Sequence, residues 1–201
     1  MIRILLADDQ ALVRGALSAL LALEPDLEVV AEVGSGDLVV AAALEHRPDV
    51  ALLDVEMPGM DGIAAAAALR GLLPEVKVLI VTTFGRPGFL RRALQAGASG
   101  FVVKDTPAAE LADAVRRVHA GLRVVDPALA ADSLVAGESP LSPRETEVLR
   151  AASDGSTAAA IAAKLFLSEG TVRNHLSSAM GKTGAATRAE AVLIATDNGW
   201  L

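Results

Sequence analysis

Two short apolar runs in this chain end in carboxylates. Ile2-Arg3-Ile4-Leu5-Leu6-Ala7 leads into Asp8 and Asp9, and Val50-Ala51-Leu52-Leu53 leads into Asp54. Each run is bounded by polar residues and has the length of a buried strand in a parallel sheet. Side by side, the two would bring three acids to one edge. Like charges a few Å apart repel strongly. The cluster therefore implies a divalent cation among the acids and chemistry that uses carboxylates. Two later runs end in Thr82-Thr83 and in Lys104. An aspartate can attack phosphorus and become an aspartyl phosphate. Mg²⁺ between the acids and an incoming phosphoryl group would neutralise charge and align the displacement. Lys104 would pair with the phosphoryl oxygens, and Thr82 would donate a hydrogen bond to one.

A second set of residues suits nucleic acid. Ser168 can cap a helix on which Val172, Leu176, Ala179 and Thr183 share one face. That leaves Thr171, Arg173, Asn174, Ser177, Ser178 and Lys182 for solvent or DNA. Arg173 can make a bidentate contact to guanine, and Asn174 can address adenine. Lys182 and the hydroxyls at the helix start suit phosphates. A preceding helix from Ser156 to Lys164, with Ile161 and Leu165 inward and Phe166-Leu167 as the turn, would complete a helix-turn-helix.

The elements that must position these groups alternate. Strand-like runs at about 2–7, 27–33, 50–54, 76–82 and 99–103 are separated by segments of helical spacing. Leu12, Ala16, Ala19, Leu20 and Leu23 fall on one helical face, and so do Leu111, Ala114, Val115 and Val118. This predicts an α/β, doubly wound, five-stranded parallel sheet in the order 2-1-3-4-5. Ligands of such a sheet bind at the carboxyl ends of the strands, where Asp8, Asp9 and Asp54 stand. Pro58-Gly59 turns the chain beside Asp54, and Gly85-Arg86-Pro87-Gly88 reads as a loop and helix start beside Thr82. Residues 122–140, with Asp126-Pro127 and Gly137-Glu138-Ser139-Pro140, read as a linker between a first domain at 1–121 and a second at 141–201. The second shows helical signals only. Ser142-Pro143-Arg144-Glu145 fits a capping box, Ser156 and Ser168 fit later caps, and a fourth helix runs from about Thr187 to Asn198.

Composition excludes several classes. The 201 residues contain no Cys, so there is no disulfide framework or thiolate metal site. No apolar run approaches the roughly 20 residues that span a bilayer, and no basic, apolar leader precedes Ile2. A soluble, cytoplasmic protein without membrane insertion is expected. The net charge of -7 argues against a generally basic coat but leaves room for one DNA-binding face. Residues 1–137 carry -6 of it and residues 138–201 only -1. Gly34 and Gly36 begin a G-x-G-x-x-G pattern that fails at Val39. His46, His119 and His175 are scattered, and Trp200 reads as a packing anchor.

Residues 1–121 resemble the bacterial response-regulator receiver. The motif Asp-x-x-Met-Pro-x-x-x-Gly stands at Asp54–Gly62, and the acid pair, Thr82 and Lys104 follow in order. The resemblance implies that Asp54 is the phosphoacceptor. It makes Asp9 and Asp54 direct Mg²⁺ ligands, with Asp8 acting through water and Glu56 through its backbone carbonyl. It makes Thr82 and Phe101 the switch pair. Lys104 is followed by Asp105 rather than the common Pro, a variant similar to the branch fused to a LuxR-type helix-turn-helix. Residues 141–196 resemble that domain, from Leu-Ser-Pro-Arg-Glu-x-Glu-Val-Leu to Leu167-Ser168-Glu169-Gly170-Thr171-Val172-Arg173-Asn174-His175. Ala160 stands where the family usually has Glu, Ala179 and Thr183 replace larger aliphatics, and Gly181 lies within the recognition helix. The whole is similar to the NarL/FixJ family, and Thr-Thr-Phe-Gly-Arg-Pro-Gly with the Asn-Gly-Trp ending is similar to its DesR-like branch. The implied function is transcriptional control. A sensor histidine kinase would phosphorylate Asp54, and the regulator would then form a homodimer on promoter DNA without being an enzyme. Two other readings stand beside it. A haloacid-dehalogenase-like phosphatase would use Asp54 with Glu56, and a phosphorylation-dependent adaptor would bind protein rather than DNA.

Overall fold

The computed structural model describes residues 1–83, 87–127, 129–131 and 139–201. The Gly85–Gly88 loop and the Gly137–Pro140 end of the expected linker lie partly outside the described residues. The chain divides into two compact units, one built from residues 1–85 and 89–131, the other carrying residues 132–201.

In the first unit the apolar runs form β1 (Ile2–Ala7), β3 (Val50–Leu53), β4 (Lys77–Thr82) and β5 (Gly100–Val103). All four are nearly continuous in burial because helices cover both faces of the sheet. β2 (Leu27–Val33) forms one edge. The helices are α1 (Ala11–Leu21), α2 (Val39–His46), α3 (Gly62–Leu72), α4 (Pro87–Ala96) and α5 (Ala108–His119). The strand order is β2-β1-β3-β4-β5-β6, all parallel. The sixth strand, β6 (Val124–Val125), was not expected. It pairs Val124 with Gly100 inside the stretch read as linker. Two residues are too short to show alternation, which is why the sequence hides it. The expected domain end at 121 thus falls short of the sheet's last strand.

One face of the sheet packs Leu5, Leu53, Ile80 and Phe101 against Ile63, Leu69 and Phe89. The other packs Ile4, Leu6, Leu52 and Leu79 against Leu17, Leu21, Leu111, Val115 and Val118. The α5 face is the one expected. The α1 face is not. Leu17 and Leu21 go inside, whereas Leu12 is 86% exposed, Leu23 is 77% exposed, and Ala16, Ala19 and Leu20 are exposed as well. α1 is apolar nearly all round, so two stripes compete on spacing alone, and the set with Leu17 and Leu21 meets the sheet.

In the second unit α6 (Pro143–Ala151), α7 (Ala158–Leu165), α8 (Glu169–Thr183) and α9 (Arg188–Asp197) surround Val148, Leu149, Ile161, Val172, Leu176, Ala191 and Ala195. Ser142 and Glu145 form the expected capping box. Ser168 accepts from the Thr171 amide at 3.1 Å and caps α8. Thr157, not Ser156, caps α7, accepting from the Ala160 amide at 3.2 Å. Adjacent hydroxyl residues compete for the cap, and the winner is the one three residues before the amide the helix must satisfy. Trp200 packs against this core.

Candidate functional site

The parallel register of β1 and β3 sets Ala7 beside Leu53, so the next residues, Asp8 and Asp54, emerge together. The Asp54 amide donates to the Ala7 carbonyl at 2.9 Å, and the Asp8 amide to the Val33 carbonyl at 3.1 Å. Asp8 and Asp54 are 1% and 4% exposed; Asp9 faces solvent. One carboxylate oxygen from each lies within 4.8 Å of the others. After Asp54 the chain must fold back sharply. Gly59 takes φ +76, and a Cβ on Gly62 would meet the Asp54 carbonyl oxygen at 1.8 Å, so only glycine lets α3 start there.

Thr82 ends β4 and is buried, paired in register with Val103. Lys104 follows β5, anchored by its amide to the Thr82 carbonyl at 2.8 Å. Its Nζ reaches Asp8 Oδ2 at 2.7 Å and Asp54 Oδ2 at 2.8 Å. Burial pushes the Asp54 carboxyl up, and the Lys104 ammonium only partly offsets it. Burial would lower Lys104, but its hydrogen bonds and charge contacts to Asp54 and Asp8 outweigh that and raise it. The other Asp8 oxygen accepts from the Gln10 amide at 2.9 Å. This is a carboxylate cluster held together by one ammonium. Hard oxygen donors in such a set fit a Mg²⁺ ion, whose two positive charges would offset the repulsion among the acids. Glu56 is exposed in the bend after β3.

The second candidate surface is the outer side of α8. Val172, Leu176 and Ala179 are buried, while Arg173, Asn174, Ser177 and Ser178 are exposed on the other side. Arg173 pairs with Glu169 at 2.7 Å, one turn earlier and with both partners in solvent. Such a pair is worth only about 0.3–0.5 kcal/mol, so DNA can displace it. Thr171 shares a 2.8 Å hydrogen bond with Ser168.

Two families match this arrangement in succession. The response regulator receiver domain matches residues 4–116, and the bacterial regulatory proteins of the luxR family match residues 139–195. The chain is 42% identical to the transcriptional regulatory protein YvfU of Bacillus subtilis (strain 168) over 201 residues, covering all of both chains. It is 42% identical to the transcriptional regulatory protein DesR of the same organism over 200 residues, covering 100% of this chain and 99% of that one. The crystal structure of the response regulator ChrA, from a heme-sensing two-component system, superposes with a TM-score of 0.60 at 34% identity, covering 100% and 98% of the two chains. The chain belongs to the response regulators with a LuxR-type DNA-binding domain. It is a DNA-binding transcriptional regulator.

In this regulator Asp8, Asp9, Asp54, Thr82 and Lys104 meet at one rim, as their places at strand ends require. Phe101 is wholly buried in the core, beside Ile80 in the register of β4 and β5. Of the expected DNA contacts, Arg173, Asn174 and Ser177 are exposed on α8 and Thr171 is half-buried at its start. Lys182 departs from this set. Its Nζ lies 2.7 Å from Glu145 Oε2, and the Ser178 hydroxyl donates to Glu145 Oε1 at 2.7 Å. Glu145 is 5% exposed and also accepts from the Ser142 amide at 2.6 Å. Its carboxyl is drawn down to about 2, first by Lys182 and then by the Ser142 and Ser178 bonds, against its own burial. A buried acid left without its cation is costly, so this bond ties Lys182 on α8 to α6. Sequence reading missed Glu145 because it accounts fully for that residue as a local cap. The cue was an acid in a capping box with a basic residue on another helix.

Proposed function

We propose that the regulator receives a phosphoryl group on Asp54 from a sensor histidine kinase, and that this drives homodimerisation and promoter binding. The observation that carries the reading is the Asp54 carboxylate, buried between Asp8 and Lys104 at the end of β3 with Asp9 beside it. An Asp54 oxygen attacks phosphorus, the phosphorus–nitrogen bond to the donor imidazole breaks, and that imidazole keeps the electron pair and takes a proton. Lys104 transfers its hydrogen bonds from the Asp54 oxygen to the phosphoryl oxygens, and Thr82 donates to another. Asp8, Asp9, Asp54 and the Glu56 carbonyl are the residues to hold Mg²⁺, which when bound neutralises the charge gathered by the transfer. Thr82 and Phe101 then relay the change toward α4.

Thr171, Arg173, Asn174 and Ser177 are the DNA contacts of this reading, Arg173 at base edges. Lys182 is assigned to the α6–α8 tie. The exposed Leu12 and Leu20 on α1, with Leu23 in the turn that follows it, support a homodimer face; Ala114, Val115 and Val118 on α5 are core and do not. A cytoplasmic setting belongs to this reading, because a kinase donor and promoter DNA are both met there; separately, no described helix is long and apolar enough to cross a membrane. Acetyl phosphate with Mg²⁺ should add one phosphoryl group, seen as intact mass, and Asp54→Asn should abolish it. Undiminished labelling of Asp54→Asn rejects the assignment. Steady turnover of a phosphate monoester would instead favour a phosphohydrolase.

A further inference from the structure

Phe166 occupies the turn between α7 and α8 and is 96% exposed. Its φ is +54, in the left-handed region that bulky residues rarely adopt. The turn requires that backbone: the amides of Phe166 and Leu167 both close the end of α7 on the Ala162 carbonyl. It does not require a phenyl ring. Glycine or asparagine meets a left-handed cap with less strain and without an apolar ring in water. The other described non-glycine residue in this region, Arg47, uses its side chain locally, donating to the Leu44 carbonyl at 3.1 Å. Phe166 has no such use. Phe89, Phe101 and Trp200, by contrast, pack into cores. Backbone strain and an exposed aromatic thus coincide at one residue, and strained positions collect at working surfaces.

That residue is two positions before Ser168, the cap of α8. Two residues span at most about 7 Å. The major groove is about 12 Å wide, and a recognition helix puts its first turn at the base edges. Phe166 thus lies close enough to the start of α8 for its exposed ring to reach the groove wall when α8 docks. We infer that Phe166 is a DNA contact, its ring packed on deoxyribose at the rim of the groove that α8 enters. The contact is apolar and reads no base, so it strengthens binding to every sequence. This rests on the DNA-binding role of the second unit.

The test uses the full chain, a duplex selected from a randomised pool by the unaltered regulator, and a scrambled duplex of equal length. Phe166→Asn should melt at the same temperature or higher. It should bind both duplexes about threefold to tenfold more weakly, the loss of one apolar contact. The salt slope should not change, because no charge is removed. Phe166→Tyr should bind as the parent does. Unchanged affinity of Phe166→Asn for both duplexes overturns the inference; if run-off transcription falls at the same time, the ring belongs to a polymerase contact instead. A loss confined to the selected duplex overturns it too, since the ring would then be reading sequence. A parent chain that retains no duplex at all would bring down the DNA-binding role itself, a separate failure.

Discussion

Lys104 holds two buried carboxylates with one ammonium, and the acid pocket depends on that balance. Without it, Asp8 and Asp54 face each other in a nearly dry site. Lys104→Met should cost up to about 3–5 kcal/mol of unfolding free energy in the absence of divalent ions, the scale for breaking a buried pair. Added Mg²⁺ should restore much more stability to this variant than to the parent, because the ion replaces the missing charge. Thermal melts with and without Mg²⁺ check both statements; equal Mg²⁺ responses would mean the acids do not bind the ion together. Glu145 makes the complementary case. Its folded pKa, about 2, lies below the ordinary 4.5. Its stabilisation is therefore full above about pH 4.5 and is lost as pH falls toward 2. Glu145→Gln should lack that part of the acid dependence in denaturant titrations between pH 5 and about 2. At α8, Arg173→Ala should lose about 1–3 kcal/mol on a selected site and relax preference at one base pair. Lys182→Met, tied as Lys182 is to Glu145, should leave the salt slope of DNA binding unchanged, whereas a phosphate contact would lower it by about one.

At the scale of elements, α8 carries a visible cost. Gly181 lies inside the helix with nothing within 4 Å of a Cβ built on it. Gly181→Ala should stabilise the second unit by about 0.5–1 kcal/mol, read as a raised melting temperature; a lower one would mean the position is not free. The elements themselves were largely legible. Strands buried on both faces read as apolar runs, and their acidic ends identified the rim before any register was known. What was not legible has local causes. α1 is apolar on nearly every side, so spacing alone selected the outer stripe with Leu12 instead of Leu17 and Leu21. β6 is two residues long and carries no period. Thr157 took the cap from its neighbour Ser156. The Glu145–Lys182 bond joins residues 37 positions apart, and local pattern cannot show such a pair.

For the whole molecule, the proposed phosphoryl group would add charge at the end of β3, and the response would be read at α8 of the second unit. The exposed Leu12 and Leu20 of α1 offer a route. A receiver dimer formed through α1 would tether two DNA-binding heads and raise their local concentration on paired half-sites. Leu12→Glu should then keep phosphorylation of Asp54 intact while lowering the dimer fraction in sedimentation. A dimer undiminished by that change would move the interface elsewhere. Nearly complete switching from 1:99 to 99:1 needs about 5.5 kcal/mol of differential stabilisation, and a smaller bias gives a graded response. The most direct measurement is a DNA-binding titration of the full chain with and without beryllofluoride, run in parallel on Asp54→Asn. Beryllofluoride should tighten binding of the parent at least about tenfold, or 1.4 kcal/mol, and leave Asp54→Asn unmoved. Equal affinity of the parent in both states, or equal tightening of Asp54→Asn, would contradict control of DNA binding through Asp54.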